Sequence, residues 1–515
     1  MSPVRTRSHR IAAGFAVAAL LAVACGNRLP KTAAGTTFVP GDAAATDAAG
    51  NPVAIPPGDA TASPAAGATG GPRVRFGPSG CTPIASDPDR GVTATQIKVG
   101  TIVARSGPLP GSFYPMTQAV AAYFKKVNDA GGICGRTLTL IVQDDRLNAD
   151  AHLTAAKKLV ESDKVFAIVG MLTAVDKASA AYLCGRGVPD VGGFALSYNR
   201  AQGEDCPSGT PPVYWSPLGG LTRNTIGDHA YYTIMASETL GGAGTRGAVM
   251  YHSTLDISKD QGLAQQWAVN HAWCRFRKHP STTDATSSPC DVVASRQDKS
   301  YVPDDQLYDV NPVSTDAAYD PLIQRMISGN VDAVYSSMEI NSNIKLLRSM
   351  GRYKVSWRQR IGRDPVVYFQ LSAYDPKLLA EAAEQAIGAY LWIPHVPFTE
   401  PQHPVMGDYL STLSKYFPTA DATSFGAQGW AGAAMFVESV ARAGANLTRE
   451  SLRAALDSLG NYTAGGFVGA LTPRERTIFN CGVVVRVEKR GDRADFYRWR
   501  PSGDGFLCTT LKRWR

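Results

Sequence analysis

The chain has 515 residues, of which 52 are Lys or Arg and 44 are Asp or Glu, giving a formal net charge of +8. Hydrophobic residues make up 44% of it, an ordinary globular composition, and domains of ~100 to 200 residues predict two or three folded units. Charges of both signs are mixed along the chain rather than gathered into runs, which argues against a nucleic-acid partner.

The amino terminus has the pattern of an export signal. Basic residues precede Ile11–Ala24, an unbroken apolar or small-residue stretch that ends at Cys25. That stretch is too short to span a bilayer, which needs ~20 helical residues. The segment 21–25 resembles the lipobox of bacterial lipoproteins, although Ala22 occupies the slot that prefers leucine. We predict a lipoprotein signal peptide over residues 1–24 and lipidation of Cys25; an ordinary secretory signal is the alternative.

Residues 25–80 are predicted to be the lipidated cysteine followed by a disordered linker. The stretch consists mainly of Ala, Gly, Thr, Pro and Asp, with almost no large apolar side chains that could offset the cost of ordering. A flexible chain of this length would reach roughly 40 Å. The pattern therefore predicts a folded body tethered to the outer face of the bacterial cytoplasmic membrane.

The remaining eight of the nine cysteines are an even number, which is typical of disulfides in an exported chain. Eight cysteines allow about 105 connectivities, and sequence alone does not choose among them. Proximity favours sequential pairs: Cys81 with Cys134, Cys184 with Cys206, Cys274 with Cys290, and Cys481 with Cys508. No CxxC pair or HExxH spacing occurs, so we expect no metal site and no cofactor.

Strands and helices alternate after Cys81. Strand patterns at 97–103, 137–142 and 165–170 enclose helix patterns at 117–128 and 151–162. The rhythm restarts with strand patterns at 247–252, 331–336 and 366–371, separated by helix patterns at 264–269, 321–327 and 377–386. Such alternation predicts an α/β fold with parallel sheets covered by helices, and ligands at the carboxyl ends of the strands. Two units of similar size favour a cleft between them.

Several short motifs occur in a recognisable order. They are the turn 106–111, the segment 127–136, the strand end 140–145, the helix and third strand from 156 to 170, the turn 187–189 and the helix from Phe425 onward. Over residues 95 to about 510 they resemble the type I periplasmic binding proteins, whose best-known members bind leucine, isoleucine and valine for ABC importers.

The resemblance implies two doubly wound parallel-sheet lobes joined by a three-strand hinge. We place lobe I at 90–217 and 396–458, and lobe II at 218–395 and 459–515. On this arrangement Cys81 and Cys134 both lie near the amino ends of neighbouring strands, which supports pairing them.

The resemblance also points to ligand-binding residues. In the amino-acid binders, serine hydroxyls and backbone amides of lobe I hold the ligand carboxylate, and an acid of lobe II faces its ammonium group. Here Ala174 stands at an expected serine position, and no acid follows the strand ending at Leu371. The predicted ligand-binding residues are Ser106, Phe113, Tyr114, Thr173, Ala195, Ser197, Asp256, Glu339, Gln370 and Ser372.

Some of these residues have a second interpretation. Glu339 is also suited to begin a helix, since acids favour helix amino ends, and Phe113 and Tyr114 are also suited to pack their loop onto its own helix.

The expected function is that of an extracytoplasmic solute-binding protein, a monomer that passes a small molecule to an ABC permease. We expect an amino acid, an amide or a similar polar solute. The alternative is a sensing or protein-interaction lipoprotein with the same fold. The sequence contains no GxSxG motif, no SxxK together with its partner motifs and no P-loop, so we expect neither catalytic residues nor enzymatic activity.

Overall fold

The computed structural model describes residues 84–513, apart from 85, 110, 224, 229–230, 232–245, 279–301 and 510. The described residues belong to one compact unit. The predicted signal peptide, Cys25, the linker and Cys81 lie outside them. Within the described part, no helix combines the length and the apolar character needed to cross a bilayer.

The strands form two main sheets. Their bounds are β1 Gln96–Val103, β2 Thr137–Asp144, β3 Ala167–Val169, β4 Asp190–Val191, β5 Tyr214–Trp215, β6 Thr225–Ile226, β7 Gly247–Tyr251, β8 Leu307–Asp309, β9 Ala333–Ser336, β10 Val366–Phe369, β11 Tyr390–Ile393, β12 Cys481–Arg490, β13 Arg493–Arg500, β14 Leu507–Cys508 and β15 Lys512–Arg513.

Helices cover both sheets. Their bounds are α1 Tyr114–Asp129, α2 Ala149–Lys157, α3 Lys177–Gly185, α4 Tyr198–Gln202, α5 Asp256–Lys278, α6 Asp320–Ser328, α7 Ile340–Arg352, α8 Lys354–Ile361, α9 Pro376–Ala386, α10 Pro404–Tyr416, α11 Ser424–Ala443 and α12 Arg449–Asp457.

Lobe I is built on a parallel five-stranded sheet of order β2-β1-β3-β4-β5. The interior strand β1 is buried along most of its length, as expected of a parallel strand with helices on both faces. Helix α1 begins with a proline in its first turn, and Gly131 and Gly132 follow it with positive φ angles. Helix α11 packs along α1 although some 300 residues separate them, so lobe I is assembled from discontinuous segments.

Lobe II is built on a sheet of order β13-β12-β11-β10-β9-β7-β8. Its strands are parallel from β8 to β11, while β12 and β13 add an antiparallel hairpin at one edge. Tyr335, Tyr368 and Tyr390 stand in register on three neighbouring strands and stack on one another in the buried core. The two α/β sheets confirm the predicted fold class; the residue boundaries of the lobes stay predictions.

Three chain segments connect the two sheets, and they lie side by side. Gly219 in the first forms a β-bridge with Ile478 in the third, and His395 in the second forms one with Val468 in the third. Gly219 has a φ of +74°, in the left-handed region, and a Cβ there would lie 1.6 Å from the carbonyl oxygen of Thr477. The close approach of these segments therefore requires glycine at that position.

Two predicted disulfides are present, Cys184–Cys206 and Cys481–Cys508, with Cα–Cα distances of 5.5 Å and 4.0 Å. Both pairings are confirmed. Cys134 is also disulfide-bonded. The predicted partner of Cys134, and the pairing of Cys274 with Cys290, lie outside what the structure describes.

Candidate ligand-binding cleft

A pocket with an empty volume of about 620 Å³, including the space at its open mouth, lies between the two lobes. Lobe I contributes Phe113, Phe194, Leu196 and Phe425 to its lining. Lobe II contributes Leu255, Ile257, Ser258, Gln261, Ser337, Met338, Glu339, Gln370, Leu371 and Ser372, and the third connecting segment contributes Ile478 and Phe479.

The lining residues lie where the fold places ligands. Leu255, Ser337 and Gln370 each follow a parallel strand of lobe II, at β7, β9 and β10 respectively. In lobe I, Leu196 follows β4, and Phe113 precedes the first residue of α1. Because the carboxyl ends of parallel strands meet at one edge of a sheet, the loops of both lobes converge on the same space.

The wall from lobe I is apolar. The ring of Phe425 lies between those of Phe113 and Phe194, with centroids 6.0 Å and 6.2 Å away. Phe425 is in the first turn of α11, which is capped by the hydroxyl of Thr423, so a folded helix end holds the central ring. The arrangement offers a ligand an aromatic surface and no side-chain hydrogen bond.

The wall from lobe II carries three serine hydroxyls, and all three already donate to backbone carbonyls. Ser258 Oγ donates to the carbonyl of Ser337 (2.8 Å), and Ser337 Oγ donates to that of Ser258 (2.7 Å). Ser372 Oγ donates to the carbonyl of Met338 (2.6 Å). The paired bonds fasten the start of α5 to the loop after β9 and fix the shape of this wall.

Glu339 is both a cavity residue and the N-cap of α7. Its two carboxylate oxygens accept the backbone N–H groups of Asn341 (2.7 Å) and Ser342 (2.6 Å). Glu339 therefore begins a helix, as one interpretation predicted, and it is also a cavity residue that is only 6% exposed.

Behind the wall of lobe II lies a buried carboxylate, Asp228. Its Oδ2 accepts hydrogen bonds from the side-chain amides of Gln261 (2.7 Å) and Gln370 (2.8 Å), both of which line the cavity. Asp228 belongs to the first connecting segment, so these bonds also join that segment to lobe II.

Hydrogen bonds join the two lobes beside the cavity, among them one from the backbone N–H of Ser424 to the carbonyl of Tyr374 (3.0 Å). Asn341 Nδ2 of lobe II donates to Ser112 Oγ of lobe I (2.9 Å), and the backbone N–H of Ile257 donates to the carbonyl of Leu196 (3.4 Å). The two lobes are therefore in contact beside the cavity, as in a closed conformation.

The sequence-predicted site residues divide into two groups. Phe113, Glu339, Gln370 and Ser372 line the cavity. The others lie outside its described lining: Ser106, Tyr114, Thr173, Ala195, Ser197 and Asp256. The role of both groups in ligand binding stays a prediction.

Three residues of the second group have structural partners. Ser106 Oγ donates to Asp144 Oδ2 (2.6 Å) at the carboxyl end of β2. Ser197 caps α4 by accepting the N–H of Arg200 (3.4 Å), and the N–H of Ala195 donates to the hydroxyl of Tyr214 (3.1 Å).

The other three residues of the second group also lie outside the cavity, each in a different setting. Thr173 is fully buried, the ring of Tyr114 lies 5.0 Å from the guanidinium of Arg105, and Asp256 is the first residue of α5.

Sequence reasoning missed most of the apolar lining. Leu196, Leu255, Ile257, Met338 and Phe425 were not among the predicted site residues, although each lies within a few positions of a strand end or a helix start. A position just after a strand or at the start of a helix is therefore the sequence feature that could have identified these residues. Among the described residues, no cluster of three or more His, Cys, Asp or Glu side chains is arranged to hold a metal ion.

A family model described as periplasmic binding protein matches residues 96–251 and 302–492. Among solved structures, the chain is similar to a fatty acid ABC transporter substrate-binding protein from Thermomonospora curvata, with 19% identity, a TM-score of 0.61, and 83% of this chain and 97% of that one covered.

The chain is also similar to a solute-binding protein of an ABC transporter from Rhodopseudomonas palustris BisB5, solved in complex with 3,4-dihydroxybenzoic acid. The identity is 17% and the TM-score 0.60, with 80% of this chain and 97% of that one covered. A third similar structure is a leucine-binding protein from Thermotoga maritima MSB8, with 16% identity, a TM-score of 0.56, and 78% of this chain and 97% of that one covered. These likenesses show the fold, and no curated protein sequence matches. Because the family model covers more than half of the chain, this protein belongs to the periplasmic binding protein family.

Proposed function

We propose that this protein is the solute receptor of an ABC importer and that it captures a small molecule with an apolar body between its lobes. The observation that carries the proposal is the cavity at the carboxyl ends of both sheets, with phenylalanine rings on one wall. Family membership supports the receptor role, and the contacts across the cleft support closure around a ligand.

The lining favours a less polar ligand than the amino acid or amide expected from the sequence. Apolar side chains dominate it, including four phenylalanines: Phe113, Phe194, Phe425 and Phe479. Burying a side-chain-sized apolar group contributes ~1.5 to 3 kcal/mol, so an alkyl or aromatic body would supply much of the binding free energy. The Thermomonospora and Rhodopseudomonas proteins named above are described with a fatty acid and a benzoic acid, which makes such bodies a reasonable starting panel.

The membrane-facing part of the proposal rests on the amino terminus. A diacylated Cys25 and the linker to residue 80 would keep the receptor within reach of a permease in the same membrane. Replacing Cys25 with Ser should release the protein from membrane fractions, and a wild-type protein that fractionates as soluble would contradict the anchor.

The binding role is tested by native mass spectrometry of the purified protein, followed by thermal-shift and calorimetric titration. The panel should contain amino acids, amides, alkyl compounds and aromatic compounds of matched size. We expect compounds with apolar bodies to raise the unfolding midpoint, and polar amino acids to leave it unchanged. Stabilisation by polar amino acids alone would overturn the proposed ligand class.

A further inference from the structure

Resting on the proposed function, we propose that this cleft selects a ligand whose polar head group donates hydrogen bonds, with a protonated amine preferred, and that it rejects free carboxylates. The serine hydroxyls and the Glu339 carboxylate of the lobe II wall carry this inference, because the hydroxyl hydrogens are committed to main-chain carbonyls and the remaining capacity of these groups is to accept.

The three serine hydroxyls of the lining have one hydrogen each, and each hydrogen points to a main-chain carbonyl. Ser258, Ser337 and Ser372 make these bonds over 2.6–2.8 Å. A hydroxyl that turned to a ligand would leave a buried carbonyl short of a donor, and an unsatisfied buried group is costly. Towards a ligand these hydroxyls therefore act as acceptors.

Glu339 strengthens the same preference. A helix amino end attracts anions, and at α7 the carboxylate of Glu339 already takes the two N–H groups that would hold one. Each of its oxygens keeps a lone pair for a further donor. A ligand carboxylate placed here would meet a buried carboxylate in place of a free helix end.

The described part of the wall carries no cationic side chain to balance a ligand's negative charge. The cavity-lining residues that the structure describes include no Lys, Arg or His. Behind Ser258, His252 directs Nδ1 to the carbonyl of Val310, and burial lowers the pKa of this imidazole. Lys377 binds Asn341 Oδ1 and lies 3.7 Å from Glu381.

The amide side chains of Gln261 and Gln370 are the lining's remaining side-chain donors, and each directs an N–H to the carboxylate of Asp228. A ligand carboxylate would therefore meet the carboxylate of Glu339 in the lining, and its donors there would be neutral amides that already bind the carboxylate of Asp228 behind the wall. Like charges at close range without a cation between them disfavour binding.

The test compares head groups on one apolar body by calorimetric titration of the full chain at pH 7. The first set is 3-phenylpropylamine, 3-phenylpropanol and 3-phenylpropionate; the second is hexylamine, hexanol and hexanoate. We expect the amine to bind most tightly in each set and the acid to bind at least tenfold more weakly, since a hydrogen bond to a charged group is worth roughly 10- to 100-fold in affinity.

The outcomes separate this inference from the proposed function. If the acids bind as tightly as the amines or more tightly, the head-group preference is wrong, while the receptor with an apolar cleft stands. If none of the six compounds binds to the folded protein, the preference and the proposed ligand class both fail.

A variant locates the effect. Glu339→Gln keeps the side-chain size and an acceptor oxygen for the helix end but removes the charge, so the amine should lose about tenfold in affinity and the acid should gain. The matched control is Asp375→Asn, which changes another N-cap acid of lobe II outside the cavity, at α9, and should leave the ratio unchanged. An unchanged amine-to-acid ratio in Glu339→Gln would overturn the role of this carboxylate.

Discussion

The two walls of the cleft differ in what they offer a ligand. Lobe I presents three phenylalanine rings and Leu196, while lobe II presents serine hydroxyls, two amides and the carboxylate of Glu339 among its apolar side chains. Burial against rings is largely non-directional, whereas hydrogen bonds fix an orientation. We therefore expect the rings of lobe I to contribute mainly to affinity, and the polar groups of lobe II to select the head group.

The strongest test of these different roles of the two walls is to remove the central ring of lobe I, that of Phe425. Phe425→Ala should weaken binding of the best apolar ligand about 100-fold, as truncation of a central aromatic contact does, without changing the preference between amine and acid. Calorimetric titration measures both quantities. The control is Trp499→Ala, an aromatic truncation on β13 outside the cavity; if it weakens binding equally, the loss in Phe425→Ala reflects general destabilisation.

A cleft with two different walls also requires that the connecting segments hold the lobes together. His395 lies in the second of these segments, and its titration makes the stability of the protein depend on pH. This fully buried imidazole bonds to the carbonyl of Val396 and to Ser424 Oγ, and burial lowers its pKa to about 4. The unfolded chain, with a pKa near ~6.5, binds the proton more readily. Stability from this group is therefore complete above pH ~6.5 and falls as the pH drops towards 4.

We expect the free energy of unfolding to fall by about 2 kcal/mol between pH 6.5 and pH 5 through this residue. Urea titration at several pH values measures it, and His395→Gln should flatten the slope. An equal slope in the variant would assign the acid sensitivity to other groups.

A smaller effect is expected at the contact between the walls. Ser112→Ala removes the acceptor of the bond from Asn341 and should weaken ligand binding about fivefold, through faster dissociation, because a net hydrogen bond contributes ~1 kcal/mol to the closed state. Stopped-flow kinetics separates the two rates. A changed association rate with unchanged dissociation would contradict a role in holding the closed form.

The smallest expected effect concerns a residue that the sequence placed in the site. Ser106→Ala should change ligand affinity less than about twofold, since the loss of an exposed polar contact outside the cavity is a minor change. The same titration measures it. A loss above tenfold would show that the ligand extends beyond the described lining to the carboxyl end of β2.

Much of the fold could be predicted because local pattern and tertiary role agree. The strand predicted at 97–103 is found as Gln96–Val103, and the helix predicted at 117–128 as Tyr114–Asp129. Helix α5 extends well beyond the predicted 264–269, because its polar first turns carry no apolar period while packing still holds them. The hairpin β12–β13 was not predicted, since charged residues interrupt the apolar pattern of both strands.

The site was harder to predict than the fold. The family resemblance predicted ligand-binding hydroxyls in lobe I. In the structure, Thr173 is fully buried and Ser197 caps a helix. The lobe I wall of the cavity includes Phe194 and Phe425. Which side chain of a loop faces a cleft depends on loop geometry, and sequence pattern does not encode this directly. Glu339 was identified by its position after a strand, which is a property that sequence does reveal.

Asn341 links ligand binding to closure of the cleft. Its backbone N–H binds Glu339, at the cavity, and its side chain reaches Ser112 on the opposite lobe. A ligand that stabilises this helix end in its closed position raises the fraction of receptors that are shut, and by linkage anything that favours shutting raises ligand affinity by the same factor. A permease that binds the shut form more tightly would therefore increase the receptor's affinity for its cargo, and cargo release would require the permease to reopen this contact.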